Sequence, residues 1–271
     1  MQRFYPFLFV FLWSTGFIGA KYGLPYAEPL SFLLVRYLLV ISLMTLIALA
    51  MRAPWPRDAR QWFHIGVSGV LVHAVYLGGV FVAIKHGLPA GVTALVVGMQ
   101  PLLTALGAGW LLGEKVSGRQ WGGLALGFVG VGLVVSGKFG EGAALGPMLV
   151  PALVALLGIT AGTLYQKRFC AQFDLRTGSV IQFVPTAILT AIAVAWFEEF
   201  RIEWTPDFIF ALGWLVLVLS LGAISLLNLL IRSGSAVNVA SLFYLTPLST
   251  ALIAWAVFGE KLTLTAAAGM L

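Results

Sequence analysis

The chain has 271 residues, of which 60% are hydrophobic and only 10% charged, with a mean hydropathy of +0.99. That excludes an ordinary soluble domain, which is roughly 45–50% apolar and about 25% charged. The formal charge of +6 does not point to nucleic acid, because the basic residues are scattered over short connections between apolar runs. A lone cysteine, Cys170, excludes an internal disulfide and a cysteine metal cluster.

Apolar runs long enough to cross a bilayer as helices, roughly 17–25 residues, recur along the whole chain. The pattern predicts helices over 4–20, 29–51, 61–84, 89–112, 119–136, 146–166, 177–197, 207–231 and 236–258, with a tenth from 262 onward. The expected class is therefore an all-α integral membrane protein embedded in a lipid bilayer. The first run, preceded by Arg3, has some character of a signal peptide. Its counterpart around Gly162 reads it instead as a retained first helix. Trp13 lies in mid-span there, followed by Ser14 and Thr15. An indole away from the interface needs a partner for its N–H, so Trp13 is a candidate cavity wall. Arg36, about seven residues into the second helix, is the one charge well inside a span, and anchoring or snorkelling competes with substrate contact.

The third helix carries His64 near its start and His73 near its centre, with Tyr76 one turn after His73 on the same face. An ionisable residue in a bilayer interior is a functional candidate, so His73 and Tyr76 are expected to line the pathway, while His64 reads as interfacial. In the fourth helix Pro101 removes a backbone donor and frees the Val97 carbonyl, and Met99 and Gln100 sit beside that kink. Such kinks persist in lipid where a neighbour or a wet cavity satisfies the freed group; a plain packing kink is the alternative. A glycine stripe in the fifth helix (Gly118, Gly122, Gly123, Gly127, Gly130 and Gly132) suits tight helix contact. It leaves a homodimer open beside the expected monomer. Tyr165 and Asn228 are weaker substrate-binding candidates toward helix ends. Phe243 and Tyr244 precede the second kink, at Pro247.

Residues 101–115 read PLLTALGAGWLLGEK and residues 247–261 read PLSTALIAWAVFGEK, an offset of 247 minus 101, or 146. An ungapped match of this length marks two copies of one unit, over 1–137 and 146–271. Five spans per copy force the second copy upside down, an inverted-topology repeat. Ten basic residues fall on the side of the N-terminus (Arg3, Arg52, Arg57, Arg60, Lys115, Arg119, Lys167, Arg168, Arg176 and Arg232). Five fall opposite (Lys21, Lys85, Lys138, Arg201 and Lys261). This bias expects cytoplasmic termini in a bacterial inner membrane. The same topology puts Glu114-Lys115 and Glu260-Lys261 on opposite surfaces, about 30 Å of hydrocarbon apart. They are read as turn elements whose carboxylates hold the amides opening the next helix, near Ser117 and Thr263. Set against the first copy, the last helix is expected to be cut short.

The paired proline-to-GEK units, the five-plus-five arrangement and the W-S-T-G-F stretch at 13–17 resemble the drug/metabolite transporter superfamily, specifically EamA-domain carriers. The resemblance covers essentially the whole chain. It implies ten helices around a central cavity lined by helices 1, 3, 4, 6, 8 and 9, and export of amino acids or other small metabolites. No cofactor or metal is expected, and no hydrolase or P-loop motif is present. No Asp or Glu lies deep in a span, which favours uniport by alternating access over proton exchange through a membrane carboxylate. Proton coupling through His73 is the alternative, and an intramembrane enzyme or lipid-handling protein a remote one.

Overall fold

The computed structural model describes residues 4–88, 90–136, 146–170 and 172–258. Among the described residues, nine helical elements follow in chain order: α1 (Tyr5–Gly23), α2 (Pro29–Ala50), α3 (residues 59–85), α4 (residues 90–112), α5 (Gly118–Ser136), α6 (Gly146–Phe169), α7 (Leu175–Phe197), α8 (residues 206–233) and α9 (residues 236–258). Among the described residues, eight of these are long and apolar enough to cross a membrane. The expected tenth helix, with Glu260 and Lys261, lies outside the described residues. Extended backbone pairs in one place among them, an isolated bridge between Ala27 and Ile202.

Local chemistry sets the helix starts. Proline occupies the first turn of α1, α2 and α8, where its missing N–H removes nothing from the helix. Asp58, Asp174, Thr205 and Ser235 cap α3, α7, α8 and α9 by accepting from Arg60, Arg176, Phe208 and Asn238 amides. Ser117 and Gln120 form a reciprocal box at the start of α5.

Four helices depart from α geometry, and the departures come in matched pairs. α3 passes through a π segment at Val70–Leu77, which the repeat offset carries to 216–223; α8 has its π segment at Leu215–Ala223. α4 breaks between Val97 and Gln100, just ahead of Pro101, and α9 tightens into a 3-10 turn at Leu242–Tyr244, ahead of Pro247. Helix packing is close where glycine permits it. A Cβ on Gly69 would overlap the Gln182 carbonyl of α7, and one on Gly158 would come within 2.9 Å of the Tyr76 amide. Thus α3 is clamped between α6 and α7 by small residues. Outward-facing aromatics gather toward both ends: Trp62, Phe63 and Trp110 toward one, Trp196, Phe197 and Trp204 toward the other. That is the distribution of membrane-interface belts.

The two ends are tied by different contacts. At the distal end, where α1 finishes and α2 begins, the Glu198 carboxylate accepts from the Leu30 and Ser31 amides at 2.9 and 2.8 Å. The Tyr22 and Tyr26 hydroxyls both donate to Asp207 there, and Lys85 pairs with Glu28 at 3.4 Å. At the proximal end, where α1 starts, Lys167 donates to the Ile231 and Gly234 carbonyls that end α8. Thr177 donates to Pro54 O at 2.9 Å, and Arg232 reaches the Phe173 carbonyl.

Candidate functional site

The chemistry of the interior concentrates between α1, α2, α3 and α8. Trp13 on α1 lies nearly parallel to Tyr76 on α3, with centroids 6.1 Å apart and planes at 11°. It meets Phe243 of α9 edge-on at 5.3 Å, and Phe9 packs against both Trp13 and Phe243. Toward the distal end Phe32 packs against Phe81 and Phe208 at 5.5 and 4.8 Å. Between these two aromatic layers is a cavity of about 30 Å³ whose walls include Trp13, Phe17, Arg36, Tyr76, Phe81 and Leu219. At roughly 10–15 Å³ per enclosed water it holds about two waters. Two larger hollows, of about 450 Å³ between α3 and α7 and about 330 Å³ between α1, α8 and α9, have almost wholly apolar walls. They open beside exposed Trp62, Phe63, Phe210 and Val257, on the belt-bearing outer face.

Arg36 is enclosed in the same region. It is 2% exposed, so it does not snorkel. Its Nε donates to Ser220 Oγ at 3.0 Å, and the guanidinium forms part of the cavity wall. Ser220 in turn donates to the carbonyl of Leu215, five residues back, at 3.2 Å. A hydroxyl reaching five residues back belongs to the π segment of α8, and π segments recur at functional sites. A charge seven residues into a span, with Gln182 at the equivalent position of the second copy, was the available signal.

The remaining candidates are dispersed. Tyr76 and His73 do not share a face: Tyr76 stacks toward Trp13, whereas His73 stacks on Phe183 of α7 at 4.1 Å, outside the walls of the cavity. The π segment contributes, since its wider turns leave a residue three positions on further short of a full turn than an α-helix does. His73 is fully buried and neither ring nitrogen has a hydrogen-bond partner. Gln100 donates to Thr163 Oγ1 at 3.3 Å and leaves its own oxygen unpaired. Met99 packs beside the cluster of Leu88, Val92 and Leu156. Tyr165 is held by His64 at 2.6 Å near the proximal end. Asn228 accepts from Gln166, which accepts from Gln182. Tyr244 rests against α5 at Gly127.

Glu114 also differs from expectation. Its carboxylate does not hold the start of α5, which Ser117 and Gln120 close between themselves. It accepts from the Ala236 amide at 3.0 Å and so caps α9. Gly113, at φ +67, ends α4 in the left-handed region and turns the following Glu114 toward α9.

Comparison with known proteins adds an independent line. The chain matches the model of the EamA-like transporter family over residues 4–136 and again over 146–271. It is 30% identical to the uncharacterized transporter YvbV of Bacillus subtilis, covering 97% of this chain and 85% of that protein. A probable amino-acid metabolite efflux pump of Escherichia coli is 28% identical over 163 residues, covering 59% of this chain and 52% of that one. A solved crystal structure superposes with a TM-score of 0.76 at 22% identity, covering 98% of this chain and 91% of that one, which speaks for the fold.

Proposed function

The chain belongs to the EamA-like transporter family, and on that premise we propose that it exports small amphipathic metabolites, amino acids among them, by alternating access. The supporting observation is the small cavity between two aromatic layers, with Trp13 and Tyr76 in its wall and hydrogen-bonded ties at both ends of the bundle. At about 30 Å³ the cavity is closed to such a solute in this form, and it widens to admit one as each layer parts in turn. A relative named as a probable amino-acid metabolite efflux pump supports the same substrate range.

The two five-helix copies, 1–137 and 146–271, supply the inverted symmetry that makes inward-open and outward-open forms near mirror states. The matched π segments and kinks favour that reading. The bias of basic loop residues toward the proximal end supports cytoplasmic termini in a bacterial inner membrane. The unit acts as a monomer.

Movement follows the solute's own gradient. The spans bear no interior carboxylate, and His73 sits away from the cavity against Phe183. The competing reading, proton exchange at His73, draws on the two unpaired ring nitrogens. Proteoliposomes loaded with labelled L-phenylalanine and assayed with and without a pH gradient separate them. Efflux that persists without the gradient supports uniport; efflux that collapses with it and with His73→Ala supports proton exchange. Absence of any gradient-driven flux of phenylalanine or other amphipathic solutes contradicts the carrier reading.

A further inference from the structure

We propose that Arg36 makes this cavity, once the aromatic layers part and widen it, a receptor for a single carboxylate, so that the transported solute is a small monocarboxylate with an apolar or aromatic body. The inference rests on the carrier reading above and narrows it to a chemical class.

Arg36 is 2% exposed and lies in the wall of the cavity. Among the described residues it makes one side-chain hydrogen bond, from Nε to Ser220 Oγ, and no carboxylate lies within ion-pair distance of it. A buried charge without a counter-ion costs several kcal/mol, and in a bilayer interior such a group is kept where a ligand or pathway uses it. The Ser220 contact occupies Nε and leaves the two terminal nitrogens for a ligand. Those nitrogens form the fork that matches a planar carboxylate with two parallel hydrogen bonds.

The rest of the wall sets the remainder of the solute. Trp13 and Tyr76, stacked 6.1 Å apart, with Phe17 and Leu219, offer apolar and π surface. One guanidinium balances one negative charge, so a dianion such as a phosphate ester or dicarboxylate leaves an unpaired charge in an apolar chamber. An ammonium on the solute, as in an amino acid, is accommodated by the π faces of Trp13 and Tyr76. The repeat itself shows that the fold does not need the cation, because Gln182 stands at the corresponding place in the second copy and donates to Ser68 and Gln166.

The test is equilibrium binding to the purified full chain in detergent, read by scintillation proximity. The probes are labelled 3-phenylpropanoate, L-phenylalanine, L-phenylalaninamide and phenyl phosphate. The expected result is that the first two bind at least tenfold more tightly than the amide and the phosphate ester. Arg36→Gln then lowers carboxylate affinity at least tenfold while leaving the amide unchanged. Arg36→Lys, which keeps the charge and loses the fork, falls between, and it carries the test should the glutamine variant not fold. Equal binding of amide and carboxylate, or carboxylate affinity untouched by both substitutions, overturns the assignment while leaving the carrier reading in place. Binding of none of the four probes overturns both.

Discussion

Buried polar side chains in this molecule differ in how far their hydrogen-bonding capacity is met, and Gln182 Oε1 and Asn228 Nδ2 stay without a partner even within the polar network. Gln166, Gln182, Ser68 and Asn228 bond to one another across α6, α7, α3 and α8, which is helix glue. Arg36 keeps a free edge facing space. His73 is a third case, enclosed by Phe183 with neither nitrogen bonded, so it bears the cost of an unpaired buried polar group, about 1–3 kcal/mol. His73→Phe should therefore raise the thermal midpoint in detergent and leave phenylalanine efflux within about twofold; a drop in both would place the imidazole in the pathway. Cys170 offers a separate check at this scale. It is buried between α6 and α7, and burial pushes its thiol up to about 11. The thiolate is the reactive form, so maleimide labelling of intact membranes at pH 7 should be slow and should become rapid only on unfolding. Ready labelling of the folded protein would show that this segment opens.

At the scale of elements, the breaks in α4 and α9 were legible because proline announces itself, and the helix bounds followed from apolar run length. The π segments of α3 and α8 were not legible. Glycines do flank Val70–Leu77 (Gly69, Gly78 and Gly79) and one lies within Leu215–Ala223 (Gly222), but glycine recurs throughout this chain and does not single these stretches out. That hidden distortion is what separates His73 from Tyr76 and what brings Ser220 to Arg36, so the site's composition could be only half read from spacing. Trp13, Tyr76 and Phe243 do come together; Gln100, Tyr165 and Asn228 bond elsewhere, and Tyr244 packs against Gly127 with its hydroxyl unpaired. The second GEK unit lies outside the described residues. For the first, the expected partner was wrong, because a carboxylate's reach across space to Ala236 leaves no trace in sequence. Removing that cap by Glu114→Ala should cost roughly 0.5–2 kcal/mol, seen as a lower midpoint in detergent melts. An unchanged midpoint would mean that solvent replaces the carboxylate at no cost.

For the whole molecule, the all-helical membrane class follows from composition, while the family is carried by the paired proline-to-GEK units and the W-S-T-G-F stretch at 13–17. What composition cannot give is which contacts must break for the carrier to turn over, since these lie between distant segments. The distal ties join the end of α1 and the start of α2 to the α7–α8 connection, through Tyr22, Tyr26, Asp207 and Glu198. The proximal ties join α6 to the end of α8 and α4 to the start of α9, through Lys167 and Glu114. Alternating access requires that one set releases while the other holds. The most direct measurement places spin-label pairs at exposed positions of a Cys170→Ser background, one pair at His86 and Glu199 for the distal end, the other at Arg57 and Ser233 for the proximal end. Distances are read by double electron–electron resonance in liposomes with and without transported solute. The expected result is that the two distance distributions shift in opposite directions, one end widening as the other narrows. Two fixed distributions during active flux, or both ends widening together, would contradict the account.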